Sequence, residues 1–166
     1  QQPSVHRLDM DTSGLLVMAL TSEAHKILSR QFEQRIVKKR YIALLDGNLE
    51  ESKGHEGEIQ LAFRLDVDNR PHQIYDAEHG KMGQTLWRII EKTAEHTKVE
   101  FTPITGRTHQ LRVHSAHELG LNLPIIGDPL YGNGQEAGEL KLHAEFLSFL
   151  HPLSDEWLEF SCEADF

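Results

Sequence analysis

The chain has 166 residues, 39% of them hydrophobic, which is enough for one domain with a substantial core. Its 26 acidic residues outweigh 17 lysines and arginines, and the formal net charge of -9 argues against binding nucleic acid through overall positive charge. The longest apolar run, Gly14 to Leu20, is too short to span a membrane, no secretory signal is visible, and the single cysteine excludes an internal disulfide. We therefore expect a cytoplasmic protein with no membrane partner.

The first elements of the chain are predicted from local turn and helix signals. Asp9 precedes a Thr12-Ser13-Gly14 turn, and the apolar run after it predicts a buried strand. Apolar residues at helical spacing then predict an amphipathic helix from Glu23 to Gln34, with Ser22 as its N-cap.

The rest of the chain is rich in segments with alternating or β-branched residues, which predict strands. A second helix is predicted from His109 to Leu119, ending at Gly120, and Cys162 is expected to be a small buried side chain. The predicted strands are Lys39 to Leu45, Gly57 to Leu65, Thr85 to Glu91, Lys98 to Thr102, Leu142 to Leu150 and Trp157 to Cys162. Because strands outnumber helices and do not alternate with them, we predict an α+β fold with a mixed, mainly antiparallel sheet and a few flanking helices.

Basic side chains are concentrated in two places despite the acidic total. One cluster combines Arg35 with Lys38, Lys39 and Arg40; the other contains Arg107, His109, Arg112 and His114. The acids concentrate elsewhere, for example around Glu56 and Glu58. Since RNA binding requires a local positive field rather than a positive total, the two clusters predict an RNA surface with strong salt sensitivity.

Three sequence blocks, His6 to Gly14, Lys39 to Tyr41 and Gly106 to His114, resemble the signatures of RluA-type pseudouridine synthases. They match the HRLD-xx-TSG, K-x-Y and GR-[ST]-HQ-[IL]-RVH patterns of that family in the family's order, and the resemblance runs from Val5 to Phe166. The resemblance implies an enzyme that detaches a uridine of ribosomal RNA or tRNA at N1, turns the base and reattaches it through C5. It implies no cofactor.

The resemblance also assigns roles to individual residues, each with a plainer alternative. Asp9 is the expected nucleophile or base, although such an acid is as often only a turn former. Arg112 is expected to orient Asp9 and keep it ionised, the alternative being a phosphate contact. Tyr41 is expected to stack on the target base and to assist a proton transfer, rather than serve as an ordinary sheet aromatic.

A further set of residues is expected to bind the RNA substrate around these three. Leu142 matches an apolar residue of the uracil pocket, with a core role equally open, and Arg7, like His6, can instead brace the Asp9 loop. The expected substrate-binding residues are Arg7, Lys38, Lys39, Arg40, Arg107, His109 and Leu142.

The same residues allow two rival interpretations and a possible metal site. A silent RNA-binding module is disfavoured because Asp9, Tyr41 and Arg112 are all present. A glycosidase requires a second acid about 5–10 Å from Asp9, and Asp128, in a Gly-Asp-Pro turn, is interpreted as structural. No metal site is expected, because His109 and His114 lack a convincing third ligand.

The start of the chain departs from the family pattern. The first signature begins near position 5, whereas the family's catalytic domain includes a preceding strand and a lysine-proline segment. We therefore expect residues 1–166 to be a catalytic domain without that N-terminal strand segment, with Gln1-Gln2-Pro3 as a cut edge. The oligomeric state is open, with a monomer favoured.

Overall fold

One twisted β-sheet with two helices makes up the computed structural model, which describes residues 3–166. Gln1 and Gln2, part of the expected cut edge, lie outside the described residues. The strands are β1 (Ser13–Gly14), β2 (Lys38–Asp46), β3 (Glu56–Leu65), β4 (Gln73–Tyr75), β5 (Lys81–Lys92), β6 (His96–Pro103), β7 (Leu142–Leu150) and β8 (Trp157–Ser161); the helices are α1 (Ser22–Glu33) and α2 (Gln110–Ala116), with a 3-10 turn at Glu51–Lys53.

The strands pair in the order β1-β7-β2-β6-β5-β3-β4, and β8 also pairs with β7. Within residues 3–166 only the two-residue β1 runs parallel to its neighbour, and every other pairing is antiparallel. The predicted α+β class with a mainly antiparallel sheet is therefore confirmed.

Two apolar clusters hold the helices against the sheet. Leu111 and Val113 of α2 join a cluster centred on Phe101, which is fully buried, whereas Leu28 of α1 packs with Leu147 in a second cluster. Each buried aliphatic or aromatic side chain contributes about 1.5–3 kcal/mol through the removal of apolar surface from water. The space between the two clusters lies over the start of β2, and this is where the candidate site forms.

The predicted buried strand after the first turn is wrong. Leu16, Met18 and Leu20 are exposed, and only the alternate residues of this segment pack toward α1. The chain leaves the sheet after β1, once Leu15 N–H has donated to the carbonyl of Ala144. The sequence could not show this, because the run is apolar on both of its faces.

The helix boundaries also differ from prediction. Thr21, rather than Ser22, caps α1, since its side chain accepts a hydrogen bond from Ala24 N–H at 3.1 Å. Helix α2 ends at Ala116 instead of Leu119, because the backbone of His117 is already extended. Gly120 is needed for a close approach rather than as a left-handed cap: a Cβ there would lie 2.0 Å from the carbonyl oxygen of His114.

Smaller differences concern strand β4 and the cysteine. β4 is short and polar, so its sequence carried no strand signal, and its pairing with β3 decides its conformation. Cys162 is exposed, against the expectation of burial, because it follows β8, which pairs with β7 alone and whose last three residues are exposed as well. Within residues 3–166, no helix has both the length and the apolar character needed to cross a membrane.

Candidate active site

A cavity of about 810 Å³ opens between α1 and α2 at the start of β2. It brings together the three sequence blocks that lie up to a hundred residues apart. Nine of the ten predicted site residues line it, namely Arg7, Asp9, Lys38, Lys39, Arg40, Tyr41, Arg107, His109 and Leu142. The tenth, Arg112, lies behind the wall and reaches the cavity through its ion pair with Asp9.

The loop that carries Asp9 is fixed at both ends. Thr12 N–H donates to the carbonyl of Asp9 at 3.0 Å, which closes a turn, and Gly14 then passes so near Ala144 that a Cβ would lie 2.3 Å from its carbonyl oxygen. Before the turn, His6 accepts a hydrogen bond from Val17 N–H at 3.1 Å. Asp9 itself keeps 18% of its side chain exposed, so its carboxylate is available to a ligand in the cavity.

His6 acts as a brace for this loop. Its ring stacks on Phe32 with the centroids 4.5 Å apart, and burial, together with the positive charge of Lys39, lowers the pKa of His6 to about 4. The imidazole is therefore neutral at neutral pH and can accept the bond from Val17. The bracing role weighed for His6 fits this geometry, whereas Arg7 is exposed and faces the cavity.

Arg112 lies between two carboxylates. Its Nε and Nη2 donate to Asp128 at 2.8 and 2.6 Å in a bidentate pair, and its Nη1 is 3.6 Å from Asp9 Oδ2. Asp128 is fully buried and also accepts from the backbone N–H groups of Leu130 and Tyr131. Asp128 thus anchors the arginine, and the arginine presents its free edge to Asp9.

This arrangement counts against Asp128 as the second acid of the glycosidase alternative. That mechanism needs a second carboxyl group facing the first across the substrate. Asp128 does not line the cavity, and Arg112 occupies the space between it and Asp9. The interpretation of Asp128 as a structural residue agrees with its burial and with its four hydrogen bonds.

Tyr41 stands at an irregularity of the sheet. The register between β2 and β7 shifts at Arg40 and Tyr41, a bulge of the kind that re-aims side chains next to functional sites. Burial, with a contribution from the negative charge of Asp9, raises the pKa of Tyr41 to about 12. The phenol is therefore protonated at neutral pH and lies near the carboxylate.

The cations that line the cavity differ in burial and in whether a carboxylate already pairs with them. Burial lowers the pKa of Lys39, whereas Arg107 is exposed. Arg40 is engaged with Glu145 at 2.9 Å and Glu100 at 3.3 Å. Because Glu33 and Glu100 also line the cavity, the expected separation of acids from the basic clusters is incomplete.

Gln110 is a positioning residue that the sequence did not reveal. Its side chain accepts hydrogen bonds from the Thr105 hydroxyl and from Arg107 N–H, and it donates to the Gln84 carbonyl and the Thr85 hydroxyl. All four bonds are 2.6–3.0 Å long, so the buried amide is fully satisfied. The turn that carries Arg107 is thereby fixed to β5.

His114 does not belong to the basic cluster in which the sequence placed it. The ring is fully buried at the edge of Phe63, neither ring nitrogen has a hydrogen-bond partner within residues 3–166, and burial lowers its pKa to about 4. It is a neutral core residue. Within the same residues, no group of three or more His, Cys, Asp or Glu side chains could hold a metal ion.

Known proteins resemble the chain along most of its length. The family described as RNA pseudouridylate synthase matches residues 1–117. The dual-specificity RNA pseudouridine synthase RluA of Haemophilus ducreyi is 48% identical over 165 residues, covering 97% of this chain and 73% of that protein. The protein of the same name from Escherichia coli K12 is 44% identical over 170 residues, covering 100% of this chain and 75% of that protein.

A solved structure has the same fold as this chain. Human RNA pseudouridylate synthase domain containing 1 superposes with a TM-score of 0.81 at 33% identity, covering 98% of this chain and 69% of that one. Because the family matches residues 1–117, the relatives are 44–48% identical and the fold is shared, the chain belongs to the RNA pseudouridylate synthase family.

Proposed function

We propose that residues 1–166 form a catalytic domain that isomerises uridine to pseudouridine in ribosomal RNA, in tRNA or in both. The observation that carries the proposal is the carboxylate of Asp9 at the wall of a cavity rich in cations, with Arg112 3.6 Å away and Tyr41 beside it. The relatives named above are called dual-specificity enzymes, which supports more than one RNA target. We also propose that the protein acts in the cytoplasm, as a monomer.

The reaction conserves every atom of the uridine. The bond between N1 and the ribose C1′ breaks, a bond forms between C5 and C1′, and a proton moves from C5 to N1. A carboxylate such as Asp9 can divide this into two steps, either as a nucleophile or as a base. Arg112 supports either role, because its fixed positive charge offsets the cost of desolvating the carboxylate when the cavity is filled.

The target base must leave its stacked position before the acid can reach it, which costs a few kcal/mol. Tyr41 and Leu142 supply an aromatic and an apolar wall in the same cavity as Asp9. A base stacked on an aromatic ring gains roughly 1–3 kcal/mol, enough to offset much of the cost of flipping. We therefore assign the uracil ring to this part of the cavity.

Two substitutions of Tyr41 distinguish the contribution of its aromatic ring to RNA binding from that of its hydroxyl. Tyr41→Ala is expected to weaken RNA binding by roughly 5- to 150-fold, the equivalent of 1–3 kcal/mol of stacking, whereas Tyr41→Phe should bind as wild type. Both are measured by fluorescence anisotropy with a labelled stem-loop. Tyr75→Ala, at an exposed tyrosine outside the cavity, is the matched control. Equal loss in Tyr41→Phe would assign the effect to the hydroxyl instead of the ring.

The exposed Arg107 is expected to contact a phosphate. Arg107→Gln should weaken binding to all RNAs alike and reduce the slope of log K against log salt by about 0.7–0.9, the value for one phosphate contact. The slope is measured by repeating the binding titration across a series of salt concentrations. Lys26→Gln, at an exposed cation outside the cavity, should leave the slope unchanged. An unchanged slope in Arg107→Gln would contradict the contact.

The proposed activity is tested by mapping pseudouridine at single-nucleotide resolution in ribosomal and transfer RNA from cells lacking the activity, after incubation with the purified protein. New pseudouridine at defined sites establishes the reaction and identifies the RNA. Binding without any product would favour the silent RNA-binding module and overturn the proposal.

A further inference from the structure

A hydrogen-bonded relay leads from the backbone of β4 to the wall of the cavity. Gln73 N–H donates to the hydroxyl oxygen of Tyr131 at 2.8 Å, and that hydroxyl lies 2.9 Å from Nδ1 of His109. Tyr131 belongs to the turn after Asp128, and its ring packs 5.3 Å from the guanidinium of Arg112. The relay therefore connects three separate segments of the chain behind the site.

The direction of the relay follows from counting hydrogens. The Tyr131 oxygen already accepts from Gln73, and within residues 3–166 its one remaining hydrogen-bond partner is His109 Nδ1. The phenolic hydrogen is satisfied only when it is donated to that nitrogen. Nδ1 is then an acceptor, which places the proton of a neutral His109 ring on Nε2.

Two further observations support this protonation. Burial raises the pKa of Tyr131 to about 12, so its hydroxyl keeps its proton. Burial, with a smaller contribution from Arg112, lowers the pKa of His109 although Asp9 and Asp128 act in the opposite direction. The imidazole is therefore neutral, with one donor and one acceptor nitrogen.

The backbone of His109 holds the ring in place. His109 lies just before α2 in the left-handed conformation, at φ 54° and ψ 20°, which few residues other than glycine adopt. His109 as a whole is 9% exposed, and it lines the cavity. Since Nδ1 is occupied by Tyr131, Nε2 is the polar atom of this ring that remains available to a ligand.

We infer that Tyr131 is a positioning residue, which fixes the tautomer of His109 so that Nε2–H donates a hydrogen bond to a neutral oxygen of the target uridine. This rests on the proposed function. A phosphate is a poorer partner, because the negative charge of Asp9 acts on the same ring and a neutral N–H offers no compensating charge. Four exposed cations of the cavity suit phosphates better: Arg7, Arg35, Lys38 and Arg107. The acceptor is then a uracil carbonyl or the ribose hydroxyl.

The tautomer is tested without any substrate. Long-range ¹⁵N–¹H correlation spectra of the labelled protein distinguish protonated from unprotonated ring nitrogens, and the signals of His109, one of 11 histidines, are assigned by their loss in His109→Ala. We expect protonated Nε2 and unprotonated Nδ1 in the wild type, and a mixture in Tyr131→Phe. Tyr75→Phe, on β4 and outside the cavity, should leave the His109 signals unchanged. A proton on Nδ1, or no change in Tyr131→Phe, would overturn the inference.

The effect on the reaction is tested by a double-mutant cycle on kcat/KM. Tyr131→Phe should lower kcat/KM about three- to tenfold in the wild type, the range for one hydrogen bond, and have little effect in His109→Ala. Equal losses in both backgrounds would mean that Tyr131 only braces its turn. Thermal unfolding of each variant identifies loss of folded protein.

The acceptor is identified with a modified RNA. His109→Ala should lower kcat/KM on the unmodified RNA. If this decrease disappears when the target uridine is 2′-deoxy, the ribose hydroxyl is the acceptor; if the decrease persists, the acceptor is a uracil carbonyl. Failure of the wild type to convert any RNA would overturn the uridine contact together with the proposed function, while the spectra would still decide the tautomer.

Discussion

Asp9→Asn is expected to remove pseudouridine formation while leaving RNA binding intact. Loss of a positioned acid–base group typically costs about 10²–10⁴-fold in rate, and loss of a nucleophile costs at least as much. Asparagine has the same shape as aspartate and cannot take up a proton or attack a carbon centre at neutral pH. Because Arg112 keeps its bidentate partner Asp128, the fold should be unaffected.

The matched control for Asp9 lies two residues further along the same loop. Asp11 accepts a hydrogen bond from Gly138 N–H at 3.2 Å and does not line the cavity, so Asp11→Asn should retain activity. Rates are measured in single turnover with saturating enzyme, and binding by anisotropy. If Asp9→Asn retained more than a tenth of the wild-type rate, Asp9 would not be the reacting acid.

Arg112→Met is expected to destabilise the protein by roughly 3–5 kcal/mol, because it leaves the carboxylate of Asp128 buried without its charged partner. For a chain of this size that corresponds to a fall in melting temperature of roughly 6–20 °C. Activity should fall as well, since Asp9 loses the cation 3.6 Å away. The free energy of unfolding is measured by urea denaturation.

The loss of stability in Arg112→Met should depend on pH in a direction that follows from the pKa of Asp128. Burial tends to raise the pKa of Asp128, but the hydrogen bonds from Arg112, Leu130 and Tyr131 outweigh it and hold the pKa below its usual value. In the wild type this stabilisation is present above the unfolded pKa, about 3.9, and is lost as the pH falls through the folded pKa. In Arg112→Met burial dominates, so Asp128 takes up a proton at a higher pH.

The difference in stability between wild type and Arg112→Met should therefore be largest at neutral pH and shrink toward pH 4. A difference that does not change with pH would indicate lost packing rather than an unpaired charge. Arg112→Met with Asp128→Leu should recover part of the stability, since both members of the buried pair are then replaced by apolar groups. The double variant should still lack normal activity, because Asp9 remains without its cation.

Much of the fold could be predicted because its strands carry their pattern locally. The strand predicted from Leu142 to Leu150 is confirmed with the same bounds, and the strand predicted from Gly57 to Leu65 begins one residue earlier, at Glu56. Leu142–Leu150 combines aromatic and aliphatic residues over its whole length, and polar and apolar residues alternate along much of Glu56–Leu65. Strand β4, with three residues, is too short to show such a pattern, and only pairing with β3 defines it.

The sequence by itself determined which residue types the candidate site contains, because the Asp9, Lys39–Tyr41 and Gly106–His114 blocks carry them in short continuous motifs. Only the tertiary structure decided their partners. His109 and His114 look alike in the sequence, yet one lines the cavity and the other is buried against Phe63. Arg112 is bound chiefly to Asp128, 16 residues away, and touches Asp9 with its remaining edge. Burial and ion pairing depend on contacts between distant segments, which a local pattern of side chains does not encode.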